Sequence, residues 1–272
     1  MGRDKRQAGF TLLEMLVTIT IFLLVVPAIL SSVVMTQKTS NRTNQETLVR
    51  QKFRVQLEKI VQEVRESRAI FQATNVSLAT NFDIPDEIAG LLLPNAISDA
   101  TAAPFVLLPA RGTALALMKF DKSVAIGTQS ADCYKIVAYY LKKPTSSSSE
   151  YDQANPNALA LRRFESTKTY MDMTPLSASG KSTAASLGYL PWTPPGPGEA
   201  PQLPETLIAG KTYLMTNAIA PAGVWIRGKK VPSPGGFAAS RDGNLVTVYI
   251  MGFAAGRPYI LQSQTAARNF VI

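Results

Sequence analysis

Residues 9–30 read GFTLLEMLVTITIFLLVVPAIL, and the apolar run from Phe10 to Leu30 is broken by one ionisable side chain, Glu14. At about 1.5 Å per residue a helix over this run reaches about 30 Å, the thickness of the hydrocarbon core of a bilayer. A secretory h-region is shorter, about 7 to 15 residues, and ends at a small-residue cleavage site that is not evident here. Thr18, Thr20 and Pro27 weaken the run little, because a helical hydroxyl bonds its own backbone and proline is tolerated in a membrane helix. The run therefore reads as a membrane span. A carboxyl group inside a span is costly unless it meets a cation, keeps its proton or stays near the headgroups, so Glu14 is the leading candidate for a functional residue.

The segment before the span, MGRDKRQAG at residues 1–9, holds Arg3, Lys5 and Arg6 against Asp4. No equally dense basic cluster follows Leu30. The positive-inside tendency then keeps the N-terminus cytoplasmic and sends the remainder outward. Phe10 to Leu30 contains no Lys or Arg to neutralise Glu14. A cut after Gly9 would create an amine at Phe10, and the terminus of a neighbouring copy could reach the carboxylate. Such a pair would select lateral register, a use of buried charge that specifies more than it stabilises.

Beyond the span, Leu48, Val49, Phe53, Leu57, Ile60, Val61 and Val64 recur at spacings of three and four, which predicts one apolar helical stripe. The helix is expected to continue from the span to about residue 72, its early polar stretch exposed and its later stripe buried against the ectodomain. Lys59 and Glu63 have the i,i+4 spacing of a pair on the wetter side. The expected division is a basic leader at 1–9, a transmembrane helix at 10–30, an amphipathic stem at 31–72 and a globular domain at 73–272.

In that last segment the period shortens. Strands are predicted over 105–108, 113–120, 134–141, 158–164, 213–217, 224–227, 245–251 and 259–264, from β-branched and aromatic residues alternating with aliphatic ones. The fold class is α+β, a long helix on an antiparallel sheet. Residues 144–157 have loop composition. Residues 191–204, PWTPPGPGEAPQLP, read as a structured connector, with an extended recognition peptide anchored by Trp192 as the alternative.

The net charge of the 272-residue chain is +9. The excess is spread along leader, stem and ectodomain rather than gathered in one stripe, which is a weak signal for polyanions. Histidine is absent and Cys133 is the lone cysteine, so His-assisted nucleophiles, thiolate clusters and an internal disulfide framework are excluded. Cys133 in CYKIVAYYL reads as a small core residue. Asp83, Asp86 and Glu87 suit a helix cap or solvent better than a metal. GKST at 180–183 lacks the first glycine of a phosphate loop, since position 175 is proline. Arg111, Arg162 and Arg163 read as surface or interface charges. No enzyme, cofactor or metal is expected.

The junction GFTLLEMLVTITIF closely resembles the prepilin-type cleavage and methylation motif of the type IV filament superfamily. The resemblance implies that Gly9 precedes the cut, that Phe10 is the N-methylated new terminus and that Glu14 is the assembly glutamate. It also implies processing by a prepilin peptidase, residence in a bacterial inner membrane with a periplasmic ectodomain, and extraction into a filament with other pilins or pseudopilins. An inner-membrane assembly platform and its ATPase would supply the force. KIVAYYLKK and the later LALRRF resemble paired strands of a J-type pseudopilin or W-type minor pilin, and ARNFVI a terminal strand of that group. The larger minor pilins and pseudopilins thus point to a structural subunit that initiates or caps a type IV pilus or type II secretion pseudopilus. The alternative is a tip module that binds DNA, a secreted substrate or a surface polymer.

Overall fold

In a computed structural model, the described residues are 11–71, 82–83, 98–99, 114–144, 156–196, 199, 201–205, 207–221, 223–226, 228–231, 235–242, 245–254 and 257–266. The chain divides into two compact units, Met1–Leu48 and Val49–Ile272.

Helix α1 covers Leu12–Glu66. In the first unit its side chains are almost all exposed, and an 18-residue window has a mean hydropathy of 2.5 with none of it buried. This one helix is long and apolar enough to cross a membrane. The polar stretch after Leu30 stays helical, with Thr36, Thr39 and Thr47 bonding the carbonyls four residues back.

Within the second unit the helix lies on a curled, mainly antiparallel sheet. Phe53, Leu57, Ile60, Val61 and Val64 are buried in its main core, so the expected stripe forms. Leu48 is an exception and stays exposed, while Val49 packs against the core. The helix also ends at Glu66 rather than near 72, because Ser67–Phe71 leave it as strand β1. The Ser67 hydroxyl donates to the Val64 carbonyl at 2.7 Å and closes the last turn.

The remaining strands are β2 (Phe82–Asp83), β3 (Ser98–Asp99), β4 (Leu115–Ile126), β5 (Gln129–Lys142), β6 (Leu159–Ser166) and β7 (Tyr170–Asp172). After helix α2 (Ala178–Ser186) come β8 (Leu190–Trp192), β9 (Ile208–Ile219), β10 (Trp225–Ile226), β11 (Lys229–Lys230), β12 (Phe237–Asp242), β13 (Leu245–Ala254) and β14 (Arg257–Ala266). The main path runs β1-β4-β5-β6-β9-β13-β12-β3, with β14 on the other side of β13. β4 and β5 form a hairpin closed across Ile126 and Gln129, where Gly127 takes the positive φ of 63° that a tight hairpin turn favours. Residues 105–108 and 267–272 lie outside the described residues, as do most of the 144–157 segment and Arg111.

Trp192 settles the reading of the proline-rich stretch. It is buried against Tyr134, ring centroids 4.9 Å apart, and its indole N–H donates to the Gln202 carbonyl at 3.4 Å. Over its described residues the stretch is thus a connector whose aromatic points inward. GKST sits within α2, where Ser177 caps the helix and accepts from the Gly180 N–H. Cys133 is fully buried in a satellite core with Ile126, Met171, Leu176 and Ala184.

Candidate functional site

Two polar arrangements sit on α1. The first opens it. Thr11 is the N-cap: its hydroxyl accepts from the Glu14 N–H at 3.3 Å. The Glu14 carboxylate answers by accepting from the Thr11 N–H and the Thr11 hydroxyl, each at 3.0 Å. This reciprocal capping box satisfies donors that the first helical turn leaves open, and an acidic group is favoured at that end of the helix dipole. Both bonds reach Oε2, and Oε1 takes none from the described residues.

Around Glu14 the apolar side chains of Leu12, Leu13, Leu16 and Val17 are exposed. Gly9 and Phe10, the expected processing residues, lie outside the described residues. Thr11 is the residue that the reading above overlooked, although the T-x-x-E spacing before an apolar run is a helix-start signal.

The second arrangement fixes the stem to the sheet. Glu63 is buried on α1 and meets Arg163 on β6, whose Nη2 donates to Oε1 at 2.9 Å and Nε to Oε2 at 3.1 Å. The Tyr139 hydroxyl on β5 donates to Oε2, and Lys119 on β4 donates to Oε1 at 3.3 Å. Arg163 also donates from Nη1 to Glu165 at 2.5 Å, and Lys135 closes on the other Glu165 oxygen at 3.3 Å. Glu63 therefore turns inward, in place of a wet pairing with Lys59. Arg162 and Arg163 are buried rather than surface charges.

The electrostatics favour the ionised pair. Burial alone would raise the Glu63 pKa, but the Arg163 hydrogen bonds, the Tyr139 hydroxyl and the charges of Arg163 and Lys119 outweigh it and bring it below the usual carboxylate value. Burial and the neighbouring Glu63 push the Tyr139 phenol well up, so it stays a neutral donor. Arg163 remains cationic because its bonds to Glu63 and Glu165 overcome its desolvation. A cleft of about 300 Å³ beside the cluster is lined by Glu66, Lys119, Phe120, Asp121, Lys135 and Glu165. Most of its charges already answer one another. Among the described residues no group of three His, Cys, Asp or Glu side chains could hold a metal ion.

A family profile described as the prokaryotic N-terminal methylation motif matches residues 4–26. The chain carries that motif. Comparisons with curated proteins and with solved structures find no match. Motif, long apolar helix and curled antiparallel sheet together are consistent with the broad type IV pilin and pseudopilin superfamily fold. They support a structural subunit of that general kind, held to a membrane by a single pass.

Proposed function

We propose that this chain is a minor structural subunit that initiates or caps a type IV pilus or a type II secretion pseudopilus. In this reading a prepilin peptidase cuts between Gly9 and Phe10 and the Phe10 amine is methylated. The ammonium of a neighbouring subunit then meets Glu14. The observation that supports it most is the Glu14 carboxylate, inside the matched motif and surrounded by exposed apolar side chains. Thr11 holds Oε2 and orients the group, while Oε1 is directed to the partner's amine. Pairing removes a charge that the apolar surroundings would otherwise penalise. Leu12, Leu13, Leu16 and Val17 supply contact to neighbouring helices.

Other pilins or pseudopilins, the inner-membrane assembly platform and its ATPase are the partners this scheme needs, and the ectodomain lies in the periplasm. The test is the mature N-terminus. Coexpression with a prepilin peptidase followed by mass spectrometry should give a chain beginning at N-methylated Phe10. Retention of residues 1–9 under conditions in which the peptidase cuts another prepilin contradicts the reading.

A further inference from the structure

Residues 36–45 of α1 read TQKTSNRTNQ, and every one of them is exposed. The stretch holds no apolar side chain, so the packing that stabilises most protein helices adds nothing here. Thr36, Thr39, Ser40, Asn41, Thr43 and Asn44 are types that lose rotamer freedom in a helix or compete with its backbone. Two of them compete in the structure. The Thr36 and Thr39 hydroxyls donate to the Ser32 and Met35 carbonyls at 2.8 and 2.9 Å, a bond to an acceptor the helix already uses, which tends to bend it. Lys38 and Arg42 stand four residues apart, the spacing at which like charges repel, and the stretch contains no Asp or Glu to offset them.

Both flanks are held by something outside the helix. Before the stretch lies the apolar run, where hydrocarbon leaves a broken backbone bond without water to replace it. Pro27 falls in that run, so its missing donor does not open the helix to solvent. After the stretch, Phe53, Leu57, Ile60, Val61 and Val64 are buried in the main core, and Arg54 pairs with Glu58 at 3.0 Å. A break inside a helix carries the cost of new helix ends. Here each flank persists without the residues between them, and that cost falls on the segment whose own helical preference is weakest.

We propose that residues 36–45 are a swivel, a part of α1 that opens to water on its own while the span and the ectodomain stay folded. As a helix the stretch covers about 15 Å, and fully extended it reaches about 33 Å. Opening therefore lengthens the tether and lets the ectodomain turn while the span stays in place. The inference depends neither on a cut after Gly9 nor on the partner of Glu14.

The experiment is limited trypsin digestion of the full chain in micelles of an uncharged detergent, with the cut sites on α1 timed by mass spectrometry. Lys38 and Arg42 are exposed, and so are Lys52, Arg54 and Lys59, so the two groups differ in the helix that carries them rather than in access. Cleavage follows the population of the locally open form. Lys38 and Arg42 should be cut at least about tenfold faster than the other three, and the amides of 36–45 should exchange hydrogen faster than those of 55–64 by a similar factor. The variant T39A/N41A/T43A/N44A keeps both cut sites and raises helix preference, and it should be cut at least about tenfold more slowly at Lys38 and Arg42. The proposal is overturned if Lys38 and Arg42 are cut no faster than Lys52, Arg54 and Lys59, or if the four-alanine variant is cut at the parent rate. Cleavage at Lys38 and Arg42 that sets in only as the ectodomain unfolds overturns it equally.

Discussion

Arg163 grips Glu63 through two hydrogen bonds, at 2.9 and 3.1 Å, between residues 100 positions apart in the chain. The pair joins the stem helix to the middle of the sheet, and both side chains are buried. Breaking such a pair from one side leaves the other charge buried with fewer partners, Glu165 alone for Arg163 or Lys119 and Tyr139 for Glu63, so part of its desolvation goes uncompensated. Glu63→Ala and Arg163→Ala should therefore each destabilise the folded ectodomain, by less than the roughly 3–5 kcal/mol of a wholly unpaired buried charge. Urea unfolding of the full-length chain in micelles, followed through buried Trp192, reads this directly. The double variant should lose less than the sum of the two.

The same carboxylate sets an acid limit. The folded pKa of Glu63 is lowered from 4.5, so folding is favoured by its ionisation above the unfolded value, and that contribution disappears as pH falls through the folded one. Stability should decline below about pH 4.5, with Glu165 contributing in the same direction because Arg163 and Lys135 outweigh its burial. In Glu63→Gln the decline should be shallower. An acid unfolding curve of unchanged steepness would contradict this role.

Gly210 lies under the Phe164 ring. A Cβ added there would fall 2.1 Å from the ring and 2.6 Å from the Glu165 carbonyl oxygen, and Phe164 is itself held edge-on to Phe82 at 5.2 Å. Neither the backbone nor the packed ring can give way cheaply. Gly210→Ala should cost about 1–3 kcal/mol by overpacking, whereas Gly188→Ala meets no atom and acts only through its positive φ of 84°. Thermal unfolding of the two variants tests the distinction.

Thr11→Val removes both the acceptor and the hydroxyl donor of the capping box while keeping the side-chain volume. The first turn of α1 should fray, seen as faster hydrogen exchange at the amides of residues 12–15 in micelles. Fraying should leave membrane insertion intact, because the apolar run is unchanged. Unaltered exchange would show that Thr11 does not hold the helix start.

What was legible in the sequence was what repeats locally. The three-and-four spacing from Phe53 to Val64 marked the buried stripe, and KIVAYYL and LALRRF marked β5 and β6, which pair across Val137 and Glu165. Glu63 was misread because i,i+4 spacing to Lys59 is a local signal, while the group that draws it inward lies far along the chain. Strand β12, FAASRD, is too poor in β-branched residues to announce itself and forms because β13 offers a complete edge. Helix α2, ASGKSTAAS, is short, with three Ser and one Gly. It is fixed instead by its Ser177 cap and by Gln129 on the adjoining strand, which accepts from the Ser177 N–H at 2.8 Å. At the start of α1 Glu14 stood out as the one charge in an apolar run, but its partner Thr11 required reading the helix start as a cap.

The central claim is that Glu14 receives the freed amine of an adjoining subunit, and the most direct measurement is incorporation of Glu14→Ala into filaments. Parent and variant, each shown by mass spectrometry to begin at Phe10, are expressed beside the other subunits of the system, and the sheared filament fraction is assayed for each. The account predicts that the variant is cut and remains in the membrane but is largely missing from the filament fraction. Equal incorporation of the two chains would contradict it.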